Sequence, residues 1–236
     1  MYLITSGEYI NQGLEGEFGK IPHAFLPLQN KRLFNHQISK IPTNEDVYIS
    51  LPESFVLNEK DKLDIEEKKA TIIRIPSGLS LGQSVVLALN LIGRYKLELK
   101  IIHGDTLFDN LDFPADTYIV SSTNDNYKWA FTDYGDQRNI VYAGYFSFSD
   151  QNILIKLLIK HNYNFINAIR SYKGQIKVCE LFVDEWFDFG HINTYYRSKS
   201  SLTTERVFNK ILIGNQTVHK ESSNKDKILA EANWFK

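Results

Sequence analysis

The sequence predicts an α/β fold: a Rossmann-like, three-layer α/β/α arrangement around a mainly parallel, mixed central sheet. Three observations carry this reading. Short apolar runs alternate with stretches of helical length and periodicity through the first half of the chain, a rhythm that implies right-handed crossovers with helices on both faces of the sheet. One buried-type run, Leu97 to Ile102, leads straight into His103-Gly104-Asp105, and ligands of open α/β sheets bind outside the carboxyl ends of the strands. Between two such runs lies an amphipathic helix, Ser80 to Leu91, closed by Gly93, with glycine as the usual left-handed stop.

Each element follows in order. Tyr2 to Ser6 reads as a short buried strand, opening into a loop with four glycines, Gly7, Gly13, Gly16 and Gly19; such a loop can bring backbone N–H groups close to phosphates. Arg32 to Ser39 reads as a helix and Asp46 to Leu51 as a second strand. Glu53 to Lys69 carries a helix with a heavily charged outer face. Ala70 to Ile75 is a third strand, ended by Pro76-Ser77-Gly78, and Leu97 to Ile102 is a fourth. Beyond Asp105 the pattern changes to closely spaced strands: Thr117 to Ser121, Lys128 to Thr132 and Ile140 to Phe148. Asp150 can cap a helix through Lys160, and Asn164 to Tyr172 adds another. Gln175 to Val183 reads as a strand, and Trp186 to Lys199 as a turn that becomes helical. Val207 to Val218 reads as strand-turn-strand about Gly214-Asn215, and Ser223 to Trp234 as a closing helix. No linker rich in Pro, Gly and Ser interrupts residues 1–236, so one domain with a C-terminal subregion is expected.

The composition excludes several classes. With 236 residues, a formal net charge of -1, 43% hydrophobic and 13% aromatic residues, the chain describes a soluble globular protein able to bury roughly 70–75% of its unfolded surface. Near-neutral charge gives no general attraction to nucleic acid or membrane, and no run of about 18 apolar residues is present to span a bilayer. Met1 to Ser6 is too short and lacks the basic leader of a signal peptide. The single cysteine, Cys179, cannot form an internal disulfide and reads as a core residue of a cytoplasmic protein.

Six segments, in order, then carry a resemblance. They are the strand and glycine-bearing loop Leu3 to Gly19; Pro22-His23-Ala24-Phe25-Leu26-Pro27-Leu28; Gly78-Leu79-Ser80-Leu81-Gly82-Gln83-Ser84; Gly104-Asp105; Ala143-Gly144-Tyr145-Phe146; and Trp186-Phe187-Asp188-Phe189-Gly190-His191. This succession resembles the sugar-phosphate nucleotidyltransferases, of nucleotide-diphospho-sugar transferase fold, over nearly the whole chain. Tyr195-Tyr196, Arg206 to Asn209, Val218 to Lys220 and Lys227 to Phe235 are similar to the nucleotidyltransferase-like domain of bacterial capsule and surface-polysaccharide biosynthesis proteins.

The resemblance implies a nucleotide-binding half, residues 1–116, and an acceptor-binding half with the C-terminal subregion, residues 117–236. It implies attack by a phosphate monoester on the α-phosphorus of a nucleoside triphosphate. The acceptor would be a sugar 1-phosphate or a phosphorylated small alcohol, and pyrophosphate would leave. A monoester oxygen is largely ionised at neutral pH, so the protein's work is to hold two anions together and neutralise charge. Magnesium suits that role, held by one or two carboxylates with phosphates and water; Asp105 and Asp188 are the expected ligands, although either alone also suits a turn or cap.

Thr5, Ser6, Gly7, Glu8 and Gly104 would border the triphosphate, with Gly78, Gly82 and Gln83 at the base. Gly144 and Tyr145 would border the acceptor, and Arg206, Asn209 and Lys220 its phosphate. Gln83 also suits an exposed helix position, Tyr145 a core position and the basic residues a solvated face. No Arg or Lys lies between Gly7 and Gly19, and His23 stands where the family carries a lysine. Lys20 is the nearest substitute, and losing one such cation costs about 10²–10³ in rate. Two other readings stay open: a nucleotide or nucleotide-sugar binding module of the same fold without turnover, and a glycosyltransferase, for which Asp109-Asn110-Leu111-Asp112 lacks the usual Asp-x-Asp spacing. The base (cytosine among the candidates), the acceptor and the choice between monomer and homo-oligomer are left open.

Overall fold

The structure, a computed structural model, describes residues 1–123, 140–202, 204–205, 209–213 and 217–234. In chain order its elements are β1 (Tyr2–Thr5), α1 (Gln12–Phe18), β2 (Pro27–Leu28), β3 (Lys31–Arg32), α2 (Leu33–Ser39), β4 (Val47–Pro52), α3 (Glu59–Glu67), β5 (Thr71–Ile75), α4 (Leu81–Ile92), β6 (Leu99–His103), β7 (Thr106–Phe108), β8 (Thr117–Ser122), β9 (Ile140–Phe148), α5 (Gln151–Lys160), α6 (Phe165–Lys173), β10 (Cys179–Phe182), β11 (Trp186–Asp188), α7 (Ile192–Ser201), β12 (Thr204–Glu205), β13 (Asn209–Ile213), β14 (Val218–Ser222) and α8 (Lys225–Trp234). A 3-10 turn, His23–Phe25, precedes β2.

Seven strands form the central sheet in the order β10-β8-β9-β6-β1-β4-β5. β1 pairs in parallel with β4 and β6, β4 with β5, and β8 with β10. β9 runs antiparallel to its neighbours β6 and β8. Thr5 pairs with Ser50 on one side and His103 on the other, so β1, β4 and β6 present their carboxyl ends at one edge.

Successive side chains of a strand alternate between faces. Leu3 and Ile101 therefore pack with Val85, Leu89, Leu154 and Leu158 of α4 and α5 on one face. Tyr2, Ile4 and Ile102 pack with Phe34 and Ile38 of α2 and Ile65 of α3 on the other. These side chains are almost fully buried, each worth about 1.5–3 kcal/mol. A third cluster, with Leu14 of α1, Leu26, Leu107, Phe189 and Tyr195 of α7, closes the edge where the strands end.

Helix α4 begins and ends as its sequence dictates. Ser80 and Gln83 form a reciprocal capping box, and Gly93 stops the helix in the left-handed region, φ 70°. Gly82, inside α4, has a different reason to be glycine: a Cβ there would lie 2.2 Å from the Tyr163 carbonyl oxygen. We therefore expect Gly82→Ala to destabilise the fold by about 1–3 kcal/mol through overpacking, against a helix-propensity gain of about 1 kcal/mol. Urea unfolding monitored by circular dichroism measures it; an unchanged or raised midpoint contradicts the packing.

Four expectations are corrected. The glycine-bearing segment after β1 is not all loop: residues 12–18 form α1, with Gly13 and Gly16 inside it. The Asn11 side chain accepts from Leu14 N–H (3.2 Å) and Leu14 is fully buried, so docking outweighs the low helix propensity of glycine. Trp186 to Asp188 is a strand, not a turn, because it pairs antiparallel with β7. Gln175 to Val183 shortens to β10, at the edge of the sheet. On that edge Cys179 is exposed rather than core. The predicted strand Lys128 to Thr132 and the Gly214-Asn215 turn lie outside the described residues. Among the described residues, no helix is long and apolar enough to cross a membrane.

Candidate active site

The site is built around the turn from β6 to β7. Gly104 N–H donates to the Thr5 carbonyl (2.9 Å), drawing the end of β6 against β1. A Cβ at Gly104 would lie 2.9 Å from both the Ser6 Cβ and the Thr5 carbonyl oxygen, so this approach needs glycine. From α2, the buried Gln37 amide donates to the carbonyls of His103 (2.9 Å) and Thr106 (2.8 Å), clamping both sides of Gly104-Asp105. Thr106 Oγ1 donates to the Ala143 carbonyl (2.9 Å) and accepts from Trp186 Nε1 (2.7 Å).

That tryptophan begins β11, which lies along β7 with Asp188 opposite Thr106. Phe189 N–H then donates to the Asp105 carbonyl (2.8 Å). The two carboxylates converge on one spot: a Cβ on Gly190 would lie 2.7 Å from Asp105 Oδ2 and 3.3 Å from Asp188 Oδ1. Asp188 is only 5% exposed and its Oδ1 also accepts from Gly190 N–H (3.0 Å). Ser198 Oγ of α7 donates to its carbonyl (2.7 Å), and Asn11 Nδ2 donates to the Gly190 carbonyl (2.7 Å). Residues far apart in sequence thus meet at the carboxyl edge of the sheet.

This donor set fits magnesium. It consists of two hard carboxylates, and among the described residues no group of three or more His, Cys, Asp or Glu is gathered to hold an ion by itself. Magnesium is commonly bound by one or two carboxylates, with the remaining positions given to phosphates and water. Asp105 and Asp188 would be its protein ligands.

His103 closes β6 beside this pair. Burial pushes its imidazole below the usual value; the Asp105 charge opposes this, and His23 adds to it. His23 is thus near enough for its charge to act on the His103 imidazole. Gly144 of β9 sits against the same histidine: its φ is 86° and a Cβ would meet His103 Cβ at 3.1 Å.

The expected nucleotide side is physically joined. Ser6 N–H donates to Ser50 Oγ (3.0 Å) and Ser6 Oγ accepts from Ala24 N–H (2.9 Å), tying β1 to β4 and to the His23 turn. A Cβ on Gly7 would touch Ile75 at 3.4 Å. Glu8 Oε1 accepts from Gly78 N–H (2.5 Å), linking the loop after β1 to the turn after β5. Thr5 Oγ1 donates to the Ile102 carbonyl (3.4 Å). The Gln83 amide oxygen accepts from Ser80 N–H (2.8 Å) and is committed to the cap. Lys20 is exposed, with its ammonium over the Tyr9 ring, 4.7 Å from the centroid.

The acceptor-side residues divide. Tyr145 is fully buried, with its ring against Phe113 (5.1 Å) and Phe108 (6.4 Å) in the core. Lys220 of β14 is paired with Glu231 of α8. Asn209 lies on β13 opposite Ser222, and Arg206 lies outside the described residues. No contact brings Lys220 to Asp105. Gln37, Asn11 and Trp186, which hold the site together, were not singled out for these roles; each acts through a long-range bond that local pattern does not signal.

No protein-family model matches the chain, and no curated protein matches it in sequence. Solved structures do. The chain is similar to a nucleoside-diphosphate-sugar pyrophosphorylase from Vibrio cholerae, with 12% identity over 84% of this chain and 99% of that one and a TM-score of 0.65. It is similar to the CTP:phosphocholine cytidylyltransferase of Streptococcus pneumoniae, with 17% identity over 84% and 96% and a TM-score of 0.62. A UDP-glucose pyrophosphorylase from Acinetobacter baumannii aligns at 12% identity over 84% and 91%, with a TM-score of 0.61. The chain has the nucleotide-diphospho-sugar transferase fold.

Proposed function

We propose that the protein is a magnesium-dependent nucleotidyltransferase that joins a nucleoside triphosphate to a phosphorylated small-molecule acceptor. The observation that carries this reading is the convergence of Asp105 and Asp188 beside Gly190 at the carboxyl edge of the sheet. In the reaction, an ionised oxygen of the acceptor phosphate bonds to the α-phosphorus, and the bond from that phosphorus to the bridging oxygen of the β-phosphate breaks. Pyrophosphate carries away the electron pair, and no general base is needed because the monoester is largely ionised. Asp105 and Asp188 would hold a magnesium ion, whose charge would offset that of the phosphates.

The remaining groups position the reactants. The Gln37 clamp on the Gly104-Asp105 turn holds one carboxylate in place before substrate arrives, the kind of preorganisation that costs nothing at the moment of reaction. The loop after β1 would border the triphosphate, and the turn at Gly78 would receive the base. Lys20, held over Tyr9, serves as the cation of the first loop. A cytoplasmic role in making activated precursors for a bacterial surface polymer suits this chemistry.

Incubation of the protein with magnesium, each nucleoside triphosphate and a panel of phosphorylated acceptors should release pyrophosphate. The lack of Arg or Lys between Gly7 and Gly19 favours one second reading, a module that binds nucleotide without turnover. Calorimetric binding of a nucleotide without pyrophosphate release across the panel would establish that reading; no affinity for any nucleotide removes both.

A further inference from the structure

We propose that Asn11 is a positioning residue that locks the loop after β1 to the turn carrying Asp188, so that the nucleotide and cation subsites tighten and loosen as one body. What those subsites hold rests on the nucleotidyltransferase reading; the lock itself rests on geometry.

Residues 6 to 10 are anchored within the first half of the chain. Ser6 N–H donates to Ser50 Oγ, and Glu8 accepts from Gly78 N–H. The Tyr9 hydroxyl meets Ser54 Oγ (2.8 Å), and Ile10 N–H donates to the Ile21 carbonyl (3.0 Å). Asn11 instead reaches 179 positions along the sequence. The two ends of its amide face different elements. Oδ1 accepts from Leu14 N–H and starts α1, while Nδ2 donates to the Gly190 carbonyl (2.7 Å). Gly190 is buried, and its N–H is held by Asp188 Oδ1 (3.0 Å). The glycine is therefore fixed from both sides, by the carboxylate of its own turn and by the first loop. Asp105 and Asp188 both crowd it, so a shift of Gly190 moves the floor on which they meet.

The helix that follows Asn11 keeps this strut in place. A Cβ on Gly13 would lie 3.9 Å from Ile192 Cγ2. The Phe18 ring is 4.8 Å from that of Tyr195, and Tyr196 donates its hydroxyl to Glu17 (3.2 Å). Helix α1 thus lies along α7, which begins directly after the Asp188 turn. Opening the first loop pulls on Gly190, and loosening Gly190 frees the first loop. Ordering either segment spares the other part of its ordering cost, and such coupling is reciprocal.

The experiment uses Asn11→Ser in the whole protein. Serine caps a helix about as well as asparagine, but its side chain is one atom shorter and has no amide to donate. Hydrogen exchange without ligand should be roughly tenfold faster than in wild type, the scale of one lost hydrogen bond to a buried carbonyl, at three amides. These are Ile10, bonded to Ile21, Phe189, bonded to Asp105, and Gly190, bonded to Asp188. Exchange in β4 should not change. Wild-type exchange at Phe189 and Gly190 overturns the proposal. A second variant separates the strut from the cap. Gly16 has open space for a Cβ and no positive φ, so adding Gly16→Ala strengthens α1. If Asn11 served only α1, that addition would restore slow exchange at Phe189 and Gly190, and such restoration overturns the lock. Calorimetry gives the functional reading. In Asn11→Ser, the Kd for nucleoside triphosphate and the magnesium concentration for half-maximal binding should both rise roughly tenfold. A change in only one, or in neither, overturns the coupling. Should wild type bind no nucleoside triphosphate, the nucleotidyltransferase reading fails, and exchange alone then decides the lock.

Discussion

Asp105→Asn is expected to slow pyrophosphate release by at least about 10²-fold, the scale of losing one electrostatic stabiliser of a transition state. The substitution keeps the side chain's shape and removes its charge. Asp105 sits in a turn whose flanking carbonyls are held by Gln37, so the fold should survive. Asp188→Asn should act on the rate in the same sense, because its carboxylate borders the same spot beside Gly190. Circular dichroism and thermal unfolding check the fold, and steady-state pyrophosphate release reads the rate. Near-normal rates in both variants would remove the acidic pair from the mechanism.

Gly190→Ala should cost about 10–100-fold in magnesium affinity, the range seen when groups supporting metal ligands are disturbed. Gly190 is not among the residues with positive φ, so alanine meets no backbone penalty there. The added Cβ would stand 2.7 Å from Asp105 Oδ2 and 3.3 Å from Asp188 Oδ1, and the Asp105 carboxylate must move. The expected result is a higher magnesium concentration for half-maximal rate with little change in thermal midpoint. A wild-type magnesium dependence would mean that the carboxylates hold no ion beside this residue.

Much of this molecule is legible in its sequence, wherever the determining interaction is local. Ser80 with Gln83 and Gly93 bound a helix because caps act within a few residues. Asp150 and Asn164 begin α5 and α6 for the same reason, each accepting from backbone N–H groups just ahead. Gly104-Asp105 was readable as a strand-end turn because strand chemistry stops there. Features made by distant contacts were not readable. Helix α1 exists against the propensity of Gly13 and Gly16 because Leu14 finds a buried seat. β11 is a strand because β7 offers it an edge. Cys179 is exposed because its strand ends the sheet, an outcome of strand order that residue type cannot report. The acidic positions were named through motif resemblance; what brings them to one point, the Gln37 clamp and the Trp186 to Thr106 bond, belongs to tertiary structure alone.

The hydrogen bond from Trp186 to Thr106 spans 80 positions, and that has a bearing on synthesis. A nascent chain emerges from its N-terminus first and carries Asp105 long before Asp188. Until the later strand docks, such a chain holds only one of the two carboxylates that would share a cation. Once both halves are docked, any ion they share favours the finished form over every partly assembled one, so the reaction's cofactor would double as a late fastener of the protein that uses it.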